Sequence, residues 1–80
     1  MKNIQVKEMI VFTQDKVNAT SADKLRNISA EFDEDGLWLF GKVDEEYLLL
    51  GLYHTEREAD EAVEAMHRAK ASGELVYQFP

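Results

Sequence analysis

The sequence predicts an α+β domain: an antiparallel sheet with one amphipathic helix packed on one face, the elements running in the order β-β-β-β-α-β. Three observations predict it. The apolar runs in the middle of the chain are separated by links too short for anything but antiparallel neighbours, Asp33-Glu34-Asp35-Gly36 and Asp44-Glu45-Glu46. A capping-box pattern, Thr55-Glu56-Arg57-Glu58, opens a stretch with helical periodicity. A last apolar run, Leu75 to Phe79, follows Gly73 and ends at Pro80.

Met9-Ile10-Val11-Phe12-Thr13 is a short β-branched and aromatic run and predicts the first strand. Residues 16–24 show neither period and predict a loop with room for one helical turn. From Leu25 the residues alternate, with Ile28, Ala30 and Phe32 on one side and Asn27, Ser29, Glu31 and Asp33 on the other, which is the pattern of a half-exposed strand. Asp35-Gly36 signals a tight hairpin, since glycine takes a positive φ without steric cost. Leu37 to Val43 and Tyr47 to Tyr53 then complete a three-stranded meander. In the helix that follows, Ala59, Ala62, Val63, Met66 and Ala69, or the stem of Lys70, form the inward stripe. Acidic residues open that helix, basic ones close it in accord with its dipole, and Gly73 is placed to end it in a left-handed conformation.

Eighty residues make one domain, spanning 1–80, near the size where a single core supplies only about 3–5 kcal/mol of net stability. The absence of cysteine removes disulfides, thiolate metal sites and thiol nucleophiles together and fits a reducing compartment. The charged N-terminal segment, Met1 to Glu8, lacks the apolar centre of a signal peptide, and no apolar run reaches membrane-spanning length, so the expectation is a soluble cytoplasmic protein. The net charge of −7 is unevenly placed: residues 31–64 hold twelve acidic side chains against Lys42 and Arg57, while the rest holds four acidic and seven basic. Such a surface repels phosphate backbones and anionic membranes, which argues against direct nucleic-acid binding and favours a basic protein partner. Asp33, Glu34, Asp35, Asp44, Glu45, Glu46, Glu56, Asp60, Glu61 and Glu64 make up the candidate acidic surface.

The central strands are apolar on both faces. Trp38, Phe40, Leu48, Leu50 and Leu52 occupy even positions, and Leu37, Leu39, Val43, Tyr47, Leu49 and Tyr53 odd ones, yet one helix can cover only one face. The alanine-rich stripe predicts close approach of that helix to the face carrying Gly51, above Tyr47, Leu49 and Tyr53. Trp38, Phe40 and Leu50 are then the candidate interface, since aromatic residues anchor protein contacts and exposed apolar patches mark them. Homodimerisation through this face is the leading expectation. The competing one is that the N-terminal strand or the following loop folds across it.

No catalytic constellation, metal site or cofactor motif is legible. His54 and His67 lie too far apart in sequence for a metal-ligand motif, the acidic turns lack EF-hand spacing, the serines lack a nucleophile elbow, and the four glycines form no phosphate loop.

Three segments carry a family resemblance: Met9 to Asp15, Leu50-Gly51-Leu52-Tyr53-His54-Thr55-Glu56-Arg57-Glu58-Ala59, and Tyr77-Gln78-Phe79-Pro80. Together they resemble short proteins of Gram-positive bacteria, their phages and prophages, with a Leu-Gly-x-Tyr strand end, a capped helix and a closing Tyr-x-x-Pro. The charged turn at Asp44-Glu45-Glu46 is longer than that pattern has. The resemblance implies the same α+β fold and an accessory, non-enzymatic role, and it transfers no catalytic residue. Three function classes follow: a protein-interaction module, an acidic inhibitor that mimics nucleic acid, and a module that sequesters a small ligand such as a nucleotide.

Overall fold

A computed structural model of the chain describes residues 8–80; the charge pattern read at the N-terminus falls almost wholly outside them. Strands β1 (Ile10–Phe12) and β2 (Ala19–Ser21) and a single 3-10 turn (Ala22–Lys24) lead into β3 (Leu25–Asp33), β4 (Gly36–Val43) and β5 (Glu46–Tyr53). Helix α1 (Glu56–Ala71) and strand β6 (Val76–Gln78) follow. The class is α+β, as the sequence predicts.

The single antiparallel sheet of the sequence reading is instead two three-stranded sheets, β3-β4-β5 and β2-β1-β6, with β1 and β6 parallel. Strand β2, which the sequence reading takes as loop, pairs antiparallel with β1. Its three residues are too few to show a period, and it forms because the preceding turn is built to present it. The Asp15 carboxylate accepts from the Thr13 hydroxyl at 2.6 Å and the Val17 amide at 2.9 Å, while the Thr13 amide donates to the Asn18 carbonyl. The Thr13 hydroxyl, and then the Val17 amide, hold the Asp15 carboxyl below its ordinary pKa. The helical turn foreseen in this stretch is the 3-10 turn, capped by the Ser21 hydroxyl.

Both hairpins form at the charged turns, but the connections are tighter than the sequence reading has them, Asp33 pairing with Gly36 and Val43 with Glu46 so that only Glu34-Asp35 and Asp44-Glu45 lie between strands. Gly36 stands at φ +136°, and a Cβ there would lie 2.7 Å from the Tyr53 carbonyl oxygen, so any other residue is excluded twice over. Helix α1 also forms as predicted. Thr55 caps it by accepting from the Glu58 amide at 3.1 Å, and Ala59, Ala62 and Met66 are buried with Val63 and Ala69 against them. At its end Glu74 donates to the Ala69 carbonyl and Gly73, at φ +78°, to that of Lys70, which satisfies two otherwise orphaned carbonyls.

The core lies between the meander, the helix and the small sheet. Leu37, Leu39, Leu50 and Tyr53 meet Ala59, Ala62 and Met66 from α1 and Met9, Val11 and Phe79 from the β2-β1-β6 side. The Tyr77 hydroxyl donates to the Ala62 carbonyl at 2.7 Å, and Lys70 pairs with Asp23 at 2.7 Å, so the helix is tied to both β6 and the 3-10 turn.

A β-bulge corrects the reading of β5. Leu39 opposes Gly51 while Phe40 opposes Leu49, so Leu50 is the extra residue and turns into the core, 0% exposed. It is not part of an open face. The bulge also reverses the phase along the strand: Tyr53, beyond it, is buried, whereas Tyr47 and Leu49, before it, are 67% and 40% exposed and do not lie beneath the helix. Nor does Gly51 make room for α1. The space above it is taken by the Tyr53 ring and the Gln14 side chain, 3.0 and 3.2 Å from where a Cβ would stand.

Candidate interaction surface

The face of the meander turned away from the core is built by the pairs Glu31–Trp38–Leu52, Ser29–Phe40–Leu49 and Lys42–Tyr47. Cross-strand partners share a face, so register alone gathers these side chains. Trp38, Phe40 and Leu52 are half-buried and lie outside the core cluster, and Tyr47 and Leu49 are exposed. The Trp38 indole N–H donates to Asp33 Oδ2 at 2.7 Å, while Asp33 Oδ1 accepts from the Asp35 amide at 2.8 Å. One carboxylate thus shapes the turn and fixes the indole. Lys42 Nζ stands 5.8 Å from the Tyr47 ring centroid, a cation–π arrangement that shields part of the ring. Ser29, Glu31, Phe40 and Tyr47 line a shallow depression on this face.

All ten residues of the candidate acidic surface are exposed. They do not form one patch. Asp33, Glu34 and Asp35 sit at one end of the meander, and Asp44, Glu45 and Glu46 at the other, a strand length of about 26 Å away. On the helix, Glu61 and Glu64 are engaged by Arg57 and Arg68 one turn along, at 3.2 and 3.7 Å. Among the described residues no group of three His, Asp or Glu side chains is arranged to hold a metal ion, and no helix is long and apolar enough to cross a membrane.

The residue that sequence reasoning missed is Gln14. Its amide donates to the Leu50 carbonyl at 2.8 Å, its side-chain Oε1 accepts from the Leu52 amide at 2.9 Å, and its Nε2 donates to the carbonyls of Leu52 at 3.2 Å and Pro80 at 2.8 Å. A side-chain amide here replaces a neighbouring strand along β5 and joins the two sheets. A lone glutamine after a short strand carries no signal of such a role.

Buried beside it, the Tyr53 hydroxyl has no hydrogen-bond partner among the described residues. Burial, with a smaller effect of Tyr77, pushes its pKa up to about 12. Burial also raises that of Tyr77, against the opposing charge of Arg68.

Comparison with protein-family models, with curated proteins and with solved structures finds no match to this chain.

Proposed function

We propose that this protein is a small, non-enzymatic interaction module of the cytoplasm, of accessory type, that acts by binding another protein through the outer face of the β3-β4-β5 meander. The observation that carries this reading is the set Trp38, Phe40, Tyr47 and Leu49, gathered outside the core on rigid strands with Glu31, Asp33 and Lys42 at the border. Aromatic anchors ringed by polar groups are the usual make-up of an interface centre and rim. Trp38 is held by Asp33, so little side-chain freedom is lost when a partner covers it.

The nucleic-acid-mimic reading has less support, because its two acidic turns stand at opposite ends of the meander rather than along one ridge. The test compares proteins retained by the immobilised wild type and by a Trp38→Ala, Phe40→Ala variant whose fold is checked by circular dichroism. The reading requires a protein that the wild type retains at moderate salt and the variant loses. Retention by both, abolished by salt alone, would move the function to the carboxylates.

A further inference from the structure

Among the described residues strand β3 is an edge of its sheet, hydrogen-bonded to β4 on one side and to no strand on the other. Asp33 and Gly36 close a two-residue hairpin and so exchange their backbone bonds with each other. By the alternation of an antiparallel ladder, Glu31 and Ser29 also face β4, and the N–H and C=O groups of Phe32 and Ala30 point outward. Edge strands are ordinarily blunted by proline, lysine or a bulge. The bulge of β3 lies between Arg26 and Ser29, with Asn27 at φ +50°, which leaves Ser29–Asp33 straight and without proline, its charges being Glu31 and Asp33. Phe32, in this stretch, is 64% exposed.

We infer that a second copy of this chain adds to β3, antiparallel about a two-fold axis at Ala30, to form a continuous six-stranded sheet. The inference stands on the strand edge and is independent of what binds the aromatic face. Register selects the axis. Centred on Ala30, the outward groups of Ala30 meet their own copies, those of Phe32 meet Ile28 of the other protomer, and Ser29 lies opposite Glu31. A shift of one residue to Glu31 sets that carboxylate against its copy, and a shift to Phe32 sets Glu31 against Asp33.

The charges at the two ends of the strand agree with this register. Lys24 and Arg26 stand at its start, Arg26 lying opposite Lys42 across the β3–β4 pair with the Asp44-Glu45-Glu46 turn beyond Lys42, and Asp33, Glu34 and Asp35 stand at its end. With the axis at Ala30, antiparallel addition sets Arg26 opposite Glu34 of the other protomer, twice, even though each chain carries −7 overall. The helices fit as well. They lie on the same side of the joined sheet, and equivalent β4 strands are three strand spacings, about 14 Å, apart, more than one helix diameter. Finally, the assembly closes. Its outer edges are the two β5 strands, where Gln14 takes the outward groups of Leu50 and Leu52. The two-fold pairing uses both β3 edges and so closes at two chains.

Sedimentation equilibrium on the whole chain tests this, with Ala30→Pro, Phe32→Lys and the Trp38→Ala, Phe40→Ala pair as variants. Proline is tolerated on an edge where the N–H faces outward, so Ala30→Pro removes the intermolecular bond and none within the protomer. The wild type should reach twice the 9.2 kDa chain mass. Ala30→Pro should remain monomeric, Phe32→Lys should dissociate at least about tenfold more readily, and the aromatic-face pair should still dimerise. A wild type that stays monomeric into the millimolar range overturns the inference, as does a dimer that Phe32→Lys leaves intact while the aromatic-face pair abolishes it. Should Ala30→Pro fail to fold, Phe32→Lys, which makes no demand on the backbone, decides.

Discussion

The two edges of the meander carry opposite solutions to one problem. An unpaired strand exposes a row of backbone donors and acceptors, and β5 and β3 begin with the same liability. On β5 the C-terminal part of the row is occupied by Gln14, whose backbone and side chain together engage Leu50 and Leu52. On β3 no described residue fills the row, which runs beside an exposed Phe32. The outward groups of Ala30 and Phe32 on β3 are therefore available to a further strand, whereas those of Leu50 and Leu52 on β5 are already taken.

The largest effects are expected from changes on the β5 side. Leu50→Ala removes a fully buried side chain at the bulge that sets the phase of β5, and should cost about 2–5 kcal/mol in chemical denaturation. Had Leu50 belonged to an outer face, the loss would stay under about 0.5 kcal/mol. Gln14→Ala uncovers the Leu52 amide and carbonyl and should cost about 2–3 kcal/mol. The same variant opens the second edge, so species larger than a dimer should appear in sedimentation. A stable Gln14→Ala protein with unchanged mass would mean that β5 needs no seal.

Smaller changes sharpen the picture. Tyr53→Phe removes a buried hydroxyl that has no partner among the described residues and should stabilise the fold by about 1 kcal/mol. It should also change the alkaline limb. Because the folded-state pKa of Tyr53 is raised from 10.0 to about 12, the unfolded chain ionises first. Stability is then full below pH 10 and falls as pH rises toward about 12, and Tyr53→Phe should flatten part of that fall in melts taken across this range. Ala30→Pro should have the least effect on the isolated protomer, within about 1 kcal/mol, while abolishing self-association. A large loss of protomer stability would show that Ala30 donates inward, to β4.

Much of this architecture is written locally and can be read from the residues. Thr55 with Glu58, the Ala59–Ala62–Met66 stripe and Gly73 specify α1 within one segment, and the two acidic turns specify their hairpins. What could not be read depends on distant partners. The parallel pairing of β1 with β6 joins residues at opposite ends of the chain, and β2 exists because β1 offers it an edge. The bulge at Leu50 is a compromise between Leu39, Phe40 and the core beneath them, so strict alternation along β5 puts Tyr47, Leu49 and Leu50 on the wrong faces. Of the candidate interface, Trp38 and Phe40 follow from alternation in β4, which is regular there, while Leu49 and Tyr47 replace Leu50. Gln14 was invisible because an amide that stands in for a strand has no sequence spacing at all.

Amide hydrogen exchange, read residue by residue as a function of protein concentration, probes the difference between the edges most directly. The Leu52 amide, sealed by Gln14, should be protected at every concentration, and the amides of Ala30 and Phe32 should gain protection together as concentration rises and dimers form. Fast exchange of Ala30 and Phe32 at all concentrations beside a protected Leu52 would contradict pairing at β3, and an unprotected Leu52 would contradict the seal on β5.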